Sequence, residues 1–253
     1  MPAAHNKATI ISMAVLASAT ATLLHEGVGH GVAAWLRGDI PTELTSNHLS
    51  TVTPDRWVDA GGTLINLAVG AISLVASLAA GERANLRYFL WIMGALNLLP
   101  GAGYFLFSGV FGFGDWQGVI DGLPNQILLR ILMSAFGAAL YVFVVRLLMR
   151  MLKPFCPKPA DFNTAARLPY YAACLFECVA GAFDPLGIKL LFISTIPAAF
   201  GGLSGLVWGD SYLPAKPADR TLTVVRQPAW WIAAAAFGLA YIAILGPGIE
   251  FAH

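Results

Sequence analysis

Apolar runs long enough to cross a lipid bilayer recur along this chain, and no other feature restricts its fold as strongly. A bilayer-spanning helix needs about 20 apolar residues. Residues 8–36, 60–80, 88–111, 127–150, 186–208 and 229–249 meet that length. Residues 168–183 form a shorter apolar stretch closed by Asp184-Pro185, which reads either as a span or as half of a broken helix. Backbone groups in hydrocarbon must bond within their own segment, so such runs become helices. The expected fold is all-α: a polytopic integral membrane protein with six or seven transmembrane helices, set in a bacterial inner membrane. Charged residues are only 11% of the chain, against about 25% in soluble domains, too few to coat a water-facing surface of this size. A net charge of +1 argues against a nucleic-acid partner and leaves membrane lipid as the expected surroundings.

The first run continues through His25 and Glu26 without a cleavage site, so it reads as a retained helix and not as a signal peptide. Residues 37–59 form the first loop, with a Thr/Ser/Asn-rich centre whose weak alternation permits a short hairpin. Residues 151–167, with Pro154, Pro157 and Pro159, divide the chain into residues 1–150 and residues 151–253. With seven spans, eleven Lys and Arg residues fall on the N-terminal side of the bundle and four (Arg37, Arg56, Arg130, Lys189) on the other. That bias puts the N-terminus in the cytoplasm. Cys156, Cys174 and Cys178 are an odd set with no disulfide framework.

The chemistry concentrates in Leu24-His25-Glu26-Gly27-Val28-Gly29-His30, inside the first apolar run. Ionisable residues at membrane depth are costly and point to function. Two histidines at i and i+4 on a helix can bind zinc, with the adjacent glutamate as general base. Here the spacing is i, i+5, which sets the two rings roughly 140° apart on a regular helix. A π-type bulge would bring them together, and the flanking Gly27 and Gly29 tolerate one. The six residues His25–His30 resemble the His-Glu-x-x-Gly-His motif of the dipeptidyl peptidase III family. Glu26 and His30, at i and i+4, are a rival ligand pair. A third zinc ligand is expected from Asp115, which ends the glycine-rich run after Asn97-Leu98-Leu99-Pro100; Asp121 competes with it.

In order along the chain, these motifs resemble the site-2 protease family of intramembrane zinc metalloproteases. His25, Glu26 and His30 match its zinc motif, expanded by one residue. Ala60-Gly61-Gly62-Thr63-Leu64-Ile65-Asn66 is similar to its middle motif, with Gly62 where proline is common. Asn97-x-x-Pro100 followed by an acid matches the third motif. The resemblance covers residues 20–122. It implies a metalloprotease-like core in residues 1–150, Zn2+ on His25, His30 and Asp115, and Glu26 as general base. It also implies that Asn66 and Asn97 bind substrate, and that the substrate is a membrane-spanning peptide or protein cut in or near the bilayer. The resemblance places zinc toward the cytoplasm, whereas the charge count places this end of the helices outside. The alternative class is a non-enzymatic membrane scaffold or transporter-like protein with a metal-binding His/Glu cluster.

Overall fold

The computed structural model describes residues 4–251, so the outermost positions of the two expected divisions lie outside it. The chain is mostly helical. Six helices are long and apolar enough to cross a membrane: α1 (Lys7–Arg37), α2 (Arg56–Ala79), α3 (Ala84–Phe111), α5 (running from Gln126 to Leu152), α7 (Ile188–Tyr212) and α8 (Pro228–Leu245). The short helix α4 is Asp115–Ile120. A further helix of similar length, α6, covers residues 161–181, but its apolar run is interrupted by Arg167 and Glu177. Three short strands complete the fold: β1 (Pro41–Leu44), β2 (Leu49–Thr51) and β3 (Ile249–Glu250).

Hydrogen bonds between loops decide how many times the chain runs along the bundle. At one end of the bundle Asn6 N–H donates to Val224 O (2.9 Å), and Leu222 N–H to Pro154 O (2.9 Å). Asn85, at the start of α3, donates to Gln227 at the same end (2.8 Å). At the other end Ser46 N–H donates to Leu245 O (2.7 Å) and Asn47 to Asp184 (2.9 Å). These ties are mutually consistent only if α6 also runs from end to end. Among the described residues the chain therefore passes along the bundle seven times, and the eleven-to-four division of basic residues follows.

The helix ends are capped by their sequence. Asn6 Oδ1 accepts from Thr9 N–H at the start of α1. Asp55 accepts from Trp57 N–H and also pairs with Arg37 Nε at 2.8 Å, which locks the exit of α1 to the entry of α2. The C-terminal carbonyls of α3 are met by Arg130, whose Nε donates to Gly109 O and whose Nη2 donates to Val110 O.

The apolar core fills the N-terminal end of the bundle. Tyr88, Trp91, Leu148 and Phe155 are fully buried there. Even in this core the polar tips are satisfied: Trp91 Nε1 donates to Leu148 O and Tyr88 OH to Ala165 O. The outward faces carry exposed apolar side chains such as Ile72, Val75, Phe143 and Leu239. The opposite end is not filled. It holds a cavity of about 1030 Å³.

The first loop forms the β1/β2 hairpin over that cavity, with a register irregularity between Pro41 and Glu43. The last apolar run stops earlier than expected. Helix α8 ends at Leu245, and after Gly246-Pro247-Gly248 the chain forms β3, antiparallel to β1, giving the strand order β2-β1-β3. Proline and glycine break the helix there, and β1 offers the edge that the released chain bonds.

Candidate metal centre

Helix α1 changes its winding at the motif. Leu24–His30 is π-wound, and Gly31 N–H donates to Glu26 O, five residues back. The wider turn absorbs the additional residue, so both histidines face the same side. Their Nε2 atoms lie 3.2 Å apart and their rings meet edge to face. Residues without side chains make room for this turn. A Cβ at Gly29 would fall 2.6 Å from Gly62 Cα, so α1 and α2 touch backbone to backbone. Leu44 and Leu49 of the hairpin lie over Gly27 and Gly31.

Each histidine is oriented from its far nitrogen. His30 Nδ1 lies 2.6 Å from Val58 O. A carbonyl only accepts, so Nδ1 carries the proton and Nε2 of the neutral ring presents a lone pair. His25 Nδ1 lies 3.1 Å from the Asn66 amide, whose Oδ1 is buried without a partner. The amide rotamer that turns Oδ1 toward His25 Nδ1–H satisfies both groups and frees Nε2 of His25 in the same way. Tyr104 stacks on the His25 ring, with centroids 5.2 Å apart and planes 19° from parallel.

Asp115 arrives from the end of α3. Gly112 (φ 64°) and Gly114 (φ 89°) adopt backbone conformations that a side chain resists, and they turn the chain inward. Trp116 stacks on Phe105 and holds α4 in place. Asp115 Oδ2 then lies 3.2 Å from His25 Nε2 and 3.7 Å from His30 Nε2, with the Thr63 hydroxyl at 3.5 Å. Asp121 does not join; it is exposed and accepts from Gln126.

Zinc with nitrogen and oxygen ligands at about 2.0–2.1 Å in a tetrahedron sets its donor atoms about 3.3 Å apart. The His25–His30 and His25–Asp115 separations, both 3.2 Å, fit that edge, and Asp115 to His30 is longer at 3.7 Å. Glu26 stands further out, at 3.9 Å from His25 Nε2 and 3.8 Å from His30 Nε2. It is still close enough that His25, Glu26 and His30 alone present donor atoms within 4.8 Å of one another. Both ligand sets share the histidine pair; the shorter distances favour Asp115. The donors therefore fit zinc, and the buried Asn66 oxygen is accounted for once His25 is a ligand. Comparison with protein-family models, curated proteins and solved structures gives no match, so the site rests on its own geometry.

Of the two asparagines expected to bind substrate, Asn66 lines the cavity and Asn97 does not. Asn66 is engaged by His25. Asn97 is fully buried, donates to Met93 O one turn back on its own helix (2.8 Å), and is absent from the cavity wall. Asn97 turns its amide N–H to its own backbone, and its Oδ1 is buried without a partner. Two residues at the site lie outside the motifs: Tyr104, a tyrosine in a glycine-rich span with no distinguishing pattern, and Glu177, which lines the same cavity and whose one sequence signal is a carboxylate inside the apolar stretch 168–183.

Replacing Asn66 with alanine removes the group that orients His25. Zinc affinity is expected to fall about 10- to 100-fold, the usual cost of losing a partner behind a ligating histidine. Titration with a competing chelator measures it, and an affinity equal to that of the wild type would separate Asn66 from the centre.

Proposed function

We propose that this chain is a membrane-embedded zinc metallopeptidase of the site-2 protease kind, hydrolysing a peptide bond in or near the bilayer. The seven passes would cross the membrane, with the outward apolar faces in lipid. The observation that carries the reading is the π turn at Leu24–His30. It gathers two imidazoles and an adjacent carboxylate at the wall of a large cavity, within reach of a second carboxylate.

His25, His30 and Asp115 would hold the metal. Bound zinc supplies Lewis acidity to the reacting water and carbonyl. Glu26 accepts the proton as the water oxygen attacks the peptide carbon, and returns it to the amine as the C–N bond breaks. Asn66 and Tyr104 fix the plane of His25 from two directions. The β1/β2 hairpin and β3 cover the end of the bundle nearest the site and limit access from the aqueous side. The basic residues at the other end favour a cytoplasmic N-terminus, which turns the centre toward the exterior.

The test is metal content beside hydrolysis. Purified wild-type protein is expected to hold about one zinc per chain, and His25→Ala to lose it. A panel of membrane-spanning peptides should be cut by the wild type and spared after chelation. Zinc retained without any cleavage would favour a metal-binding scaffold or transporter-like protein. Absence of zinc from the wild type would remove the centre altogether.

A further inference from the structure

The cavity extends beyond the histidine pair to a carboxylate that the proposed reaction does not use. Glu177, on α6, points at α1, where Ser18 and Thr22 both donate to its Oε1. Its other oxygen has no hydrogen bond and is not sealed from the cavity, whose wall includes Ser18, Thr22 and Glu177. No ion pair reaches Glu177 among the described residues. A glutamine would tie α1 to α6 through the same two hydroxyls at lower cost, because a charge at this depth is expensive unless it meets a partner. The protein supplies half of an ion pair and leaves the other half to whatever enters.

We infer that Glu177 is a recognition subsite for a positively charged group, a lysine or arginine side chain beside the bond that is cut. This rests on the proteolytic reading above. Ser18, Thr22 and Glu26 follow one another at four-residue intervals on the same face of α1. At 1.5 Å per residue, Thr22 lies about 6 Å and Ser18 about 12 Å along the helix from Glu26. Glu177 is bonded to both, so it sits one to two turns inward of the general base. A lysine side chain carries its ammonium about 6 Å from its Cα on a four-carbon stem. Each residue of extended peptide adds about 3.3 Å. A basic residue within two positions of the cut bond thus reaches Glu177 while that bond lies at Glu26. The cavity wall as a whole is mostly apolar, with residues such as Leu96, Phe107 and Phe200, so an apolar segment with one basic residue matches it.

The experiment uses the full-length protein in lipid nanodiscs and apolar 20-residue peptides that differ at one position, lysine or norleucine, stepped along the sequence. Mass spectrometry locates each cut. Cutting is expected within two residues of the lysine, with kcat/KM at least about 10-fold above the norleucine partner, the low end for a charge-assisted hydrogen bond. In Glu177→Gln that ratio should fall toward one. Equal cutting of both peptides by the wild type overturns the subsite without recourse to any variant, and so does a lysine preference that survives in Glu177→Gln. If the wild type cuts nothing, the proteolytic reading fails by itself. Binding of the same peptide pairs then decides the subsite: a lysine preference that Glu177→Gln removes upholds it, and equal binding overturns it.

Discussion

Replacing Glu26 with glutamine is expected to lower peptide hydrolysis by at least ~10²-fold while zinc content stays near that of the wild type. The two measurements separate the roles open to this carboxylate. Its oxygens lie 3.8 and 3.9 Å from the histidine nitrogens, against 3.2 and 3.7 Å for Asp115. Glutamine keeps the size and much of the hydrogen bonding of glutamate but cannot take a proton from water. If Glu26 is a base, activity falls and the metal remains. If zinc departs with the substitution, Glu26 is a ligand, and the centre is His25, Glu26 and His30 with Asp115 outside it. Hydrolysis at the wild-type rate would remove Glu26 from the reaction.

Gly62→Ala is expected to empty the centre although no donor atom is touched. A Cβ at this position would stand 2.5 Å from His25 Nε2 and 2.5 Å from His30 Nε2, inside van der Waals contact with both. Neither ring can retreat: His30 is held at Val58 O, and His25 lies between Asn66 and Tyr104. Helix α2 is packed closely on α3, where a Cβ at Gly94 would stand 2.3 Å from Leu74, so a shift of α2 would disturb that seam. The rings must rotate out of their common direction, and two-histidine chelation is lost. We expect zinc retention below about a tenth of the wild type, since losing even the support behind a ligand costs 10- to 100-fold. The control is Gly201→Ala, where an added methyl meets nothing within 4 Å. Full zinc in Gly62→Ala would mean that the metal, if any, binds elsewhere.

The same glycine shows where reading the sequence succeeds and where it stops. Apolar blocks are legible because spans depend on composition over about 20 residues, and all six of the long runs became helices. The boundaries moved by a few residues where caps such as Asp55 took over. His25, Glu26 and His30 are legible because polar groups in hydrocarbon are rare, and the extra residue between the histidines announced the π turn. Asp115 could be preferred to Asp121 because it follows the apolar run directly. Gly62, by contrast, was noted only as standing where proline is common. Its importance lies in what is missing above two rings, and a sequence does not display empty space. Asn97 lies away from the cavity wall with its amide N–H on a carbonyl of its own helix, and a sequence does not show which way a buried amide turns. Glu177 lies 147 positions beyond His30. Only the packing of α6 on α1 brings it to the cavity, and no local pattern encodes that.

The π turn also keeps the two halves of its helix in phase. Residues 7–23 pack on α6 and α8, while residues 31–37 pack on α2 and end in the Arg37–Asp55 pair. One additional residue in a regular helix would rotate everything after it by about 100°, and the widened turn takes up that rotation. Removing one residue together with the π turn would therefore leave Arg37 facing Asp55. The expanded motif is separable from the arrangement of helices around it: a chain built on this plan can gain or lose the extra residue between its histidines without repacking the far half of its first helix.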